Sequence, residues 1–309
     1  MTAARTYEGR HRRERAVYHQ HGGVRIWHPG RVLKLAGARR LEDRDLSGVR
    51  ALLDADPAVA CMVAARVEAV GLQPSRLGGE LWGFGPKLDG LCFSGGNLIP
   101  LRGGRGAMRA FADRALRRGR ICSSLVGPSE QVLALWRELA PDWGPAREVR
   151  PQQPLMVMSG PPRVRADPLV RPVRSDELDR YLPAAVAMFT EEVGVDPRDG
   201  GGADSYRARI AELIAGGRAF ARFEGDRVVF KAEIGALSRS AGQIQGVWVH
   251  PRYRGTGLGT AGTATIADRL VRGMGRVASL YVNDFNVAAR RAYGRVGFQQ
   301  AGTFGTVLF

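Results

Sequence analysis

One order of strands and helices is written twice along these 309 residues, and that repetition constrains the fold more than any single motif. In the second stretch, "LVRPVRSDELDRYLPAAVAMFTEEVG" reads as a strand, a Ser-Asp helix start and an amphipathic helix. A glycine-rich loop, "DPRDGGGADSY", leads to a helix at "RARIAELIAGG". The strands "AFARFEG" and "RVVFKAEIGALS" are joined at Gly225-Asp226 as a hairpin, and "AGQIQGVWVHP" follows as a third. Then come a helix ("GLGTAGTATIADRLVRGM"), a strand ("VASLYVN"), a helix ("NVAARRAYGRVG") and a terminal hairpin, "FQQAGTFGTVLF". The order β-α-α-β-β-β-α-β-α-β-β predicts a mixed sheet with helices on both faces.

The first stretch has the same rhythm. "RVLKLAG" reads as a strand, followed by two helices broken at Asp56-Pro57 and strands at "ELWGFG" and "GLCFSGGNLIPL". A helix ("GAMRAFADRALRRG"), a strand ("RICSSLVG"), a helix ("SEQVLALWRELA") and a last strand ("PLMVMSG") complete it. Between the two, "MSGPPRVRADP" (158–168) has the Gly and Pro content of a linker. The length favours two domains, and the matching order suggests two copies of one fold in a pseudo-symmetric body. Two unrelated α/β domains fit the same order.

Between the strand "GVWV" and the next helix lies "HPRYRGTGLG" (250–259), with three glycines and two arginines. Glycines permit positive φ and close backbone approach, so several N–H groups can converge on an anion. The helix N-terminus adds its positive dipole end. Such a loop suits a pyrophosphate, and a plain tight turn is the competing reading.

Downstream, "VNDFNVAARRAYGRVGF" sets Asn286, Ala289, Tyr293 and Gly297-Phe298 at helical spacing after a strand. Together with Arg254-x-x-Gly257-x-Gly259, this pattern closely resembles the GNAT superfamily of acyl-CoA-dependent N-acyltransferases, over roughly residues 165–309. The whole chain is similar to actinobacterial proteins of that superfamily that carry an extra N-terminal domain of unknown function. The resemblance implies an α/β (α+β) fold of tandem GNAT-like domains, each a mixed, mainly antiparallel twisted sheet flanked by helices, with the N-terminal copy degenerate. It divides the chain into a basic tail (1–30), a degenerate accessory domain (31–160), a linker (161–168) and a catalytic acyl-CoA-binding domain (169–309).

The resemblance also implies roles. In the family, the strand before the loop splays from its neighbour, and the pantetheine arm enters the gap. Backbone groups of Trp248 and Val249 would pair with the arm's amides, as a peptide augments a sheet edge. Amides across Gly255, Thr256, Gly257, Leu258, Gly259 and Thr260 would hold the pyrophosphate of acetyl-CoA, with Arg254 supporting the charge. The N–H of Val247 or Val249 would polarise the thioester carbonyl. Asn286 would bond the arm, and Tyr293 would protonate the departing thiolate. Without the flanking pattern, Tyr293 reads as a core aromatic on a helix face.

The base is less evident. "GQIQGVWV" offers Gln243 and Gln245, which share a face with Val247 by strand alternation but cannot accept a proton at neutral pH. On the adjacent strand Glu233 is the catalytic candidate, with Lys231 on its face; a surface ion pair is the competing reading. Glu191 and Glu192 are further candidates, because the family's first helices line the acceptor site. In the first copy the equivalent loop, "LRGGRGAM", puts Arg105 where glycine should stand, and no Asn…Tyr…Gly-Phe helix follows. That copy is expected to be non-catalytic and to support or cover the acceptor cleft.

The expected activity is transfer of an acetyl group from acetyl-CoA to a primary amine, by direct attack in a ternary complex. The alternative is an acyl-CoA-binding sensor module without turnover. Three cysteines (Cys61, Cys92, Cys122) without CxxC spacing, and five histidines of which four fall in the first 28 residues, suggest no metal. A net charge of +16 tempts one toward nucleic acid, but residues 1–40 carry +8 of it, 41–164 only +3 and 165–309 +5. Nucleic acid is therefore a minority reading. No run approaches the ~20 apolar residues of a membrane helix and no secretory signal opens the chain, so a cytoplasmic monomer or homodimer is expected.

Overall fold

Asp56 and Pro57 separate the first two helices: the Asp56 carboxylate accepts from the Val59 N–H at 3.2 Å, and Pro57 occupies the first helical position, where no amide is missed. The computed structural model describes residues 37–309. Its first half runs β1 (Arg39–Arg40), α1 (Leu46–Ala55), α2 (Pro57–Val70), α3 (Pro74–Leu77), β2 (Gly79–Phe84), β3 (Gly90–Gly95), β4 (Asn97–Arg102), α4 (Arg105–Arg118), β5 (Ser124–Pro128), α5 (Ser129–Trp143) and β6 (Glu148–Met158). The second half runs β7 (Arg171–Pro172), α6 (Leu178–Val193), α7 (Ala203–Ala215), β8 (Ala219–Glu224), β9 (Arg227–Leu237), β10 (Ala241–Val249), α8 (Leu258–Asp268), β11 (Val277–Tyr281), α9 (Val287–Val296) and β12 (Gln299–Leu308). The tail (1–30) and most of the strand expected at "RVLKLAG" lie outside the described residues.

The twelve strands form one sheet in the order β1-β2-β3-β4-β5-β12-β6-β11-β10-β9-β8-β7. Every neighbouring pair is antiparallel except β4–β5 and β10–β11. The order is palindromic about its centre, where the last strands of the two halves pair with each other. Each of these strands then serves the opposite half: β6 pairs with β11 through Leu155–Met158, and β12 pairs with β5 through Phe304–Leu308. Both halves are thus completed by exchange, and neither sheet is whole without the other's final strand.

This exchange overturns the expected terminal hairpin. "FQQAGTFGTVLF" is a single strand, β12, and Gly302 and Gly305 lie where its register with β6 shifts. Glycine in a strand marks an irregularity as often as a turn, and here β12 has partners on both edges that lie far away in sequence.

Helices cover both faces. Against one face α1 and α2 pack on Leu81, Phe93 and Ile99, while α6 and α7 pack on Ala219, Ala221 and Val228. Against the other, α4 and α5 pack on Trp82, Leu98 and Leu125, while α8 and α9 pack on Phe230, Ala278 and Leu280. The alternation of strand side chains supplies both cores. Helix α2 also reaches the second half: the Cys61 thiol lies 3.7 Å from the Ala236 carbonyl and 3.5 Å from that of Ala241. Among the described residues, no helix is long and apolar enough to cross a membrane.

Candidate active site

Strands β10 and β11 pair in parallel only from Ala241–Gln243 to Val277–Ser279, then separate. Beyond that point the inner edge of β10 has no strand beside it. The N–H of His250 bonds the Val229 carbonyl on β9 at 3.0 Å, so alternation turns the N–H and C=O of Val249 toward the gap. The Val249 carbonyl receives Arg254 Nε at 3.0 Å, and its N–H remains to serve a ligand.

A bulge sharpens the separation. Gln245 pairs with Glu233 and Trp248 with Lys231, so Gly246 and Val247 together oppose one residue of β9. Gly246 holds φ +58°, and a Cβ there would lie 3.0 Å from both Lys231 Nζ and Met188 Cε. The bulge corrects an expectation: Val247 does not share a face with Gln245. It packs with the α8–α9 core, and Trp248 takes the α6 side instead.

After β10 the chain makes a short turn at Pro251–Tyr253 and enters α8 through Gly255 (φ +78°) and Gly257 (φ +88°). The first amide of this loop to find a helical carbonyl is that of Ala261, bonded to Gly257 at 3.0 Å. The N–H groups of Leu258, Gly259 and Thr260 are therefore the orphan donors of a helix start, and nothing lies within 4 Å of where a Gly257 side chain would begin. A Cβ at Gly259 would lie 3.2 Å from Val249 Cγ2, so the helix end is close to the gap. Thr256 is held by a 2.8 Å bond from its hydroxyl to the Tyr253 carbonyl. A cavity of about 590 Å3 lies beside the loop, lined by Arg165, Asp167, Arg222, Tyr253, Thr256 and Gly257. A larger one, about 820 Å3, runs between α6 and the same loop, with Asp179, Glu191, Glu224, Trp248 and His250 in its wall.

Of the sequence-predicted residues, Arg254 and Trp248 meet beside the gap through Glu191, while Asn286 lies at the start of α9 and Tyr293 on it. Arg254 donates from Nη2 to Glu191 Oε2 at 2.7 Å, and Glu191 Oε1 accepts from the Trp248 indole at 3.0 Å. Asn286 caps α9 by accepting from the Ala289 N–H at 3.1 Å, which leaves its amide nitrogen to donate. Tyr293 is buried against Phe298, and that burial, with the Glu192 carboxylate nearby, raises its phenol well above the usual range.

The Lys231–Glu233 pair is not at the surface. Lys231 is 0% and Glu233 3% exposed, with Nζ 2.6 Å from Oε1. The Tyr181 hydroxyl donates to the same oxygen at 3.1 Å and Gln245 Nε2 to the other at 3.3 Å. Burial pushes the Glu233 carboxyl up, but Lys231, with the bonds from Gln245 and Tyr181, offsets it and holds the group below its ordinary value. The burial depends on α6 closing over β9, which no local pattern announces. Both Glu233 oxygens are engaged, so it meets the gap through Gln245 and Gly246.

Strand β6, from the first half, adds residues the sequence reading missed. Gln153 Nε2 donates to Asn283 Oδ1 at 2.8 Å, just past β11, and Arg150 Nη2 donates to the Glu192 carbonyl at 2.9 Å. In the first half β4 and β5 diverge likewise, but only Gly103 and Gly104 separate β4 from α4, against eight residues between β10 and α8. No counterpart of the 250–257 loop fits there. Among the described residues, no cluster of three or more His, Cys, Asp and Glu side chains could hold a metal ion.

Residues 195–298 match the model of the acetyltransferase (GNAT) family. The second half is a GNAT domain. Residues 79–181 match a domain of unknown function, DUF4081. Two solved structures extend the likeness to the whole fold. A GNAT-family acetyltransferase from Colwellia psychrerythraea superposes with a TM-score of 0.51 at 14% identity, covering 88% of this chain and 99% of its own. A Drosophila protein superposes with a TM-score of 0.61 at 14% identity, covering 89% and 99%. No curated protein matches the chain. The tandem arrangement in one α/β sheet therefore belongs to the GNAT fold, and the open strand edge and glycine loop occur in one of its halves.

Proposed function

We propose that this protein transfers an acetyl group from acetyl-CoA to a primary amine by direct attack in a ternary complex. The observation that carries the reading is the juxtaposition of a helix start with orphan amides and an unpaired strand edge, with α9, which carries Tyr293, packed in the same core as α8. Amides of Thr256–Thr260 bind the pyrophosphate, with the dipole of α8 behind them. The arm lies along β10, where Asn286 donates to it. The Val249 N–H faces the thioester oxygen and stabilises the negative charge that develops there. Tyr293 protonates the leaving sulfur; its raised phenol keeps the proton until a thiolate demands it. The first half forms part of the site's frame through α2 and β6.

Direct attack fits the cysteines. Cys61 and Cys92 are fully buried and Cys122 nearly so, and burial raises each thiol, that of Cys61 to about 11. None offers a nucleophilic thiolate for an acyl intermediate. A sensor without turnover is the second reading, favoured by the absence of any carboxylate on β10 and the full engagement of Glu233. Thiol release from acetyl-CoA with a panel of primary amines separates the two. Turnover that falls in Tyr293→Phe supports transfer, whereas binding of acetyl-CoA with no release on any amine supports the sensor.

A further inference from the structure

Helix α6 carries one stripe of side chains across the gap. Tyr181, Ala185, Met188 and Glu192 follow one another at spacings of four, three and four, so they share a face. Tyr181 bonds Glu233 on β9, and the methyl of Met188 lies against Gly246 on β10. One turn further on, the backbone is tied to β6 by Arg150, which bonds the Glu192 carbonyl, and to the residue just before β6 by Arg147 Nη1, 3.3 Å from the Val193 carbonyl. In the sheet, β11 lies between β10 and β6. Glu192 therefore stands over the end of β11, where β10 has departed, on the sheet face opposite α9 and Tyr293. The other carboxylate of that helix end, Glu191, is committed to Trp248 and Arg254.

We propose that Glu192 is the base that takes the proton from the acceptor amine, and that Arg150, supplied by the exchanged strand of the first half, is the residue that positions it. The assignment rests on the transferase reading above. An N–H proton passes to the Glu192 carboxylate as the amine nitrogen forms its bond to the thioester carbon, whose carbonyl electron pair moves to oxygen. The carbonyl re-forms, the C–S bond breaks, and sulfur takes the Tyr293 proton. Solvent, which reaches part of the Glu192 side chain, removes the proton from Glu192 and restores that of Tyr293.

The surroundings suit a base. Protein crowded around Glu192 raises its carboxyl, Arg150 on β6 and Lys231 on β9 pull it down, and Glu233 on β9 pushes it up. Its charge also reaches Tyr281 on β11 and Tyr293 on α9. A raised carboxylate is a better proton acceptor while still ionised above its own pKa.

The test uses the full chain, acetyl-CoA and the amine panel, following thiol release against pH. Glu192→Gln is expected to lower kcat/KM by about 10²–10⁴-fold and to abolish the fall in rate on the acid side, while the acetyl-CoA Kd is unchanged by calorimetry. Arg150→Met removes a cation that lowers the Glu192 pKa, so the acid limb moves to higher pH, and Arg150→Lys restores part of the shift. Wild type that turns over, with a Glu192→Gln variant equal in rate and pH profile, overturns the assignment and leaves the transferase reading standing. Wild type that binds no acetyl-CoA overturns that reading itself. Binding without release on any amine contradicts both.

Discussion

Lys231 shows what a single side chain can decide in this fold. It is a fully buried ammonium whose charge is met by Glu233 and by the face of Tyr181, 5.4 Å from the ring centroid. Removing one partner of such a pair leaves an uncompensated buried charge. Lys231→Met should therefore lower unfolding stability by about 3–5 kcal/mol, and the double variant Lys231→Met, Glu233→Gln should recover much of it in denaturant titrations. Glu177 gives a pH prediction. Paired with Arg171 at 2.7 and 2.8 Å, its carboxyl is held at about 2, below its unfolded value. The folded state thus binds its proton less readily, so the stabilisation is present above about pH 4.5 and is lost as pH falls toward 2. The opposite sign applies at Glu192, whose raised carboxyl opposes folding while ionised, so Glu192→Gln should leave the melting temperature unchanged or raise it. Asn286, Tyr293 and the glycines were legible because their spacing is local. The burial of Lys231 was not, because Tyr181 and Met188 arrive from another helix, far from Lys231 in sequence.

At the scale of elements, β10 and its flanking helices matter most. The glycine loop was readable as strand, turn and helix start, and the structure shows why its glycines are needed at Gly255 and Gly257: both have positive φ. The bulge at Gly246–Val247 was not readable, since alternation assumes an unbroken ladder. Its cause is tertiary, because only glycine fits between Lys231 and Met188 at that φ. Gly246→Ala should accordingly destabilise the protein and reduce activity together, with acetyl-CoA turnover and melting temperature falling in the same variant. The cap of α9 is a milder case. Asn286→Ala loses the bond to the Ala289 N–H, and chemical denaturation should show a loss of about 1 kcal/mol.

The whole molecule is governed by the exchange of β6 and β12. The repeated order of elements was legible, but the exchange was not, because periodicity within a strand says nothing about which strand lies beside it. A fragment of residues 161–309 lacks β6 and would leave β11 and β12 with open edges. Expressed alone it should aggregate, and co-expression with residues 37–160 should restore a soluble complex of the two. The first half also lacks a counterpart of the 250–257 loop, so an intact chain should take up one acetyl-CoA rather than two. Calorimetric titration of the full chain with acetyl-CoA, beside a Gly257→Glu variant that sets a carboxylate where the pyrophosphate would lie, tests the central claim most directly. Heat of binding with one site per chain is expected for the wild type, and its loss in the variant. No binding to the wild type, or equal binding to both, would contradict that claim.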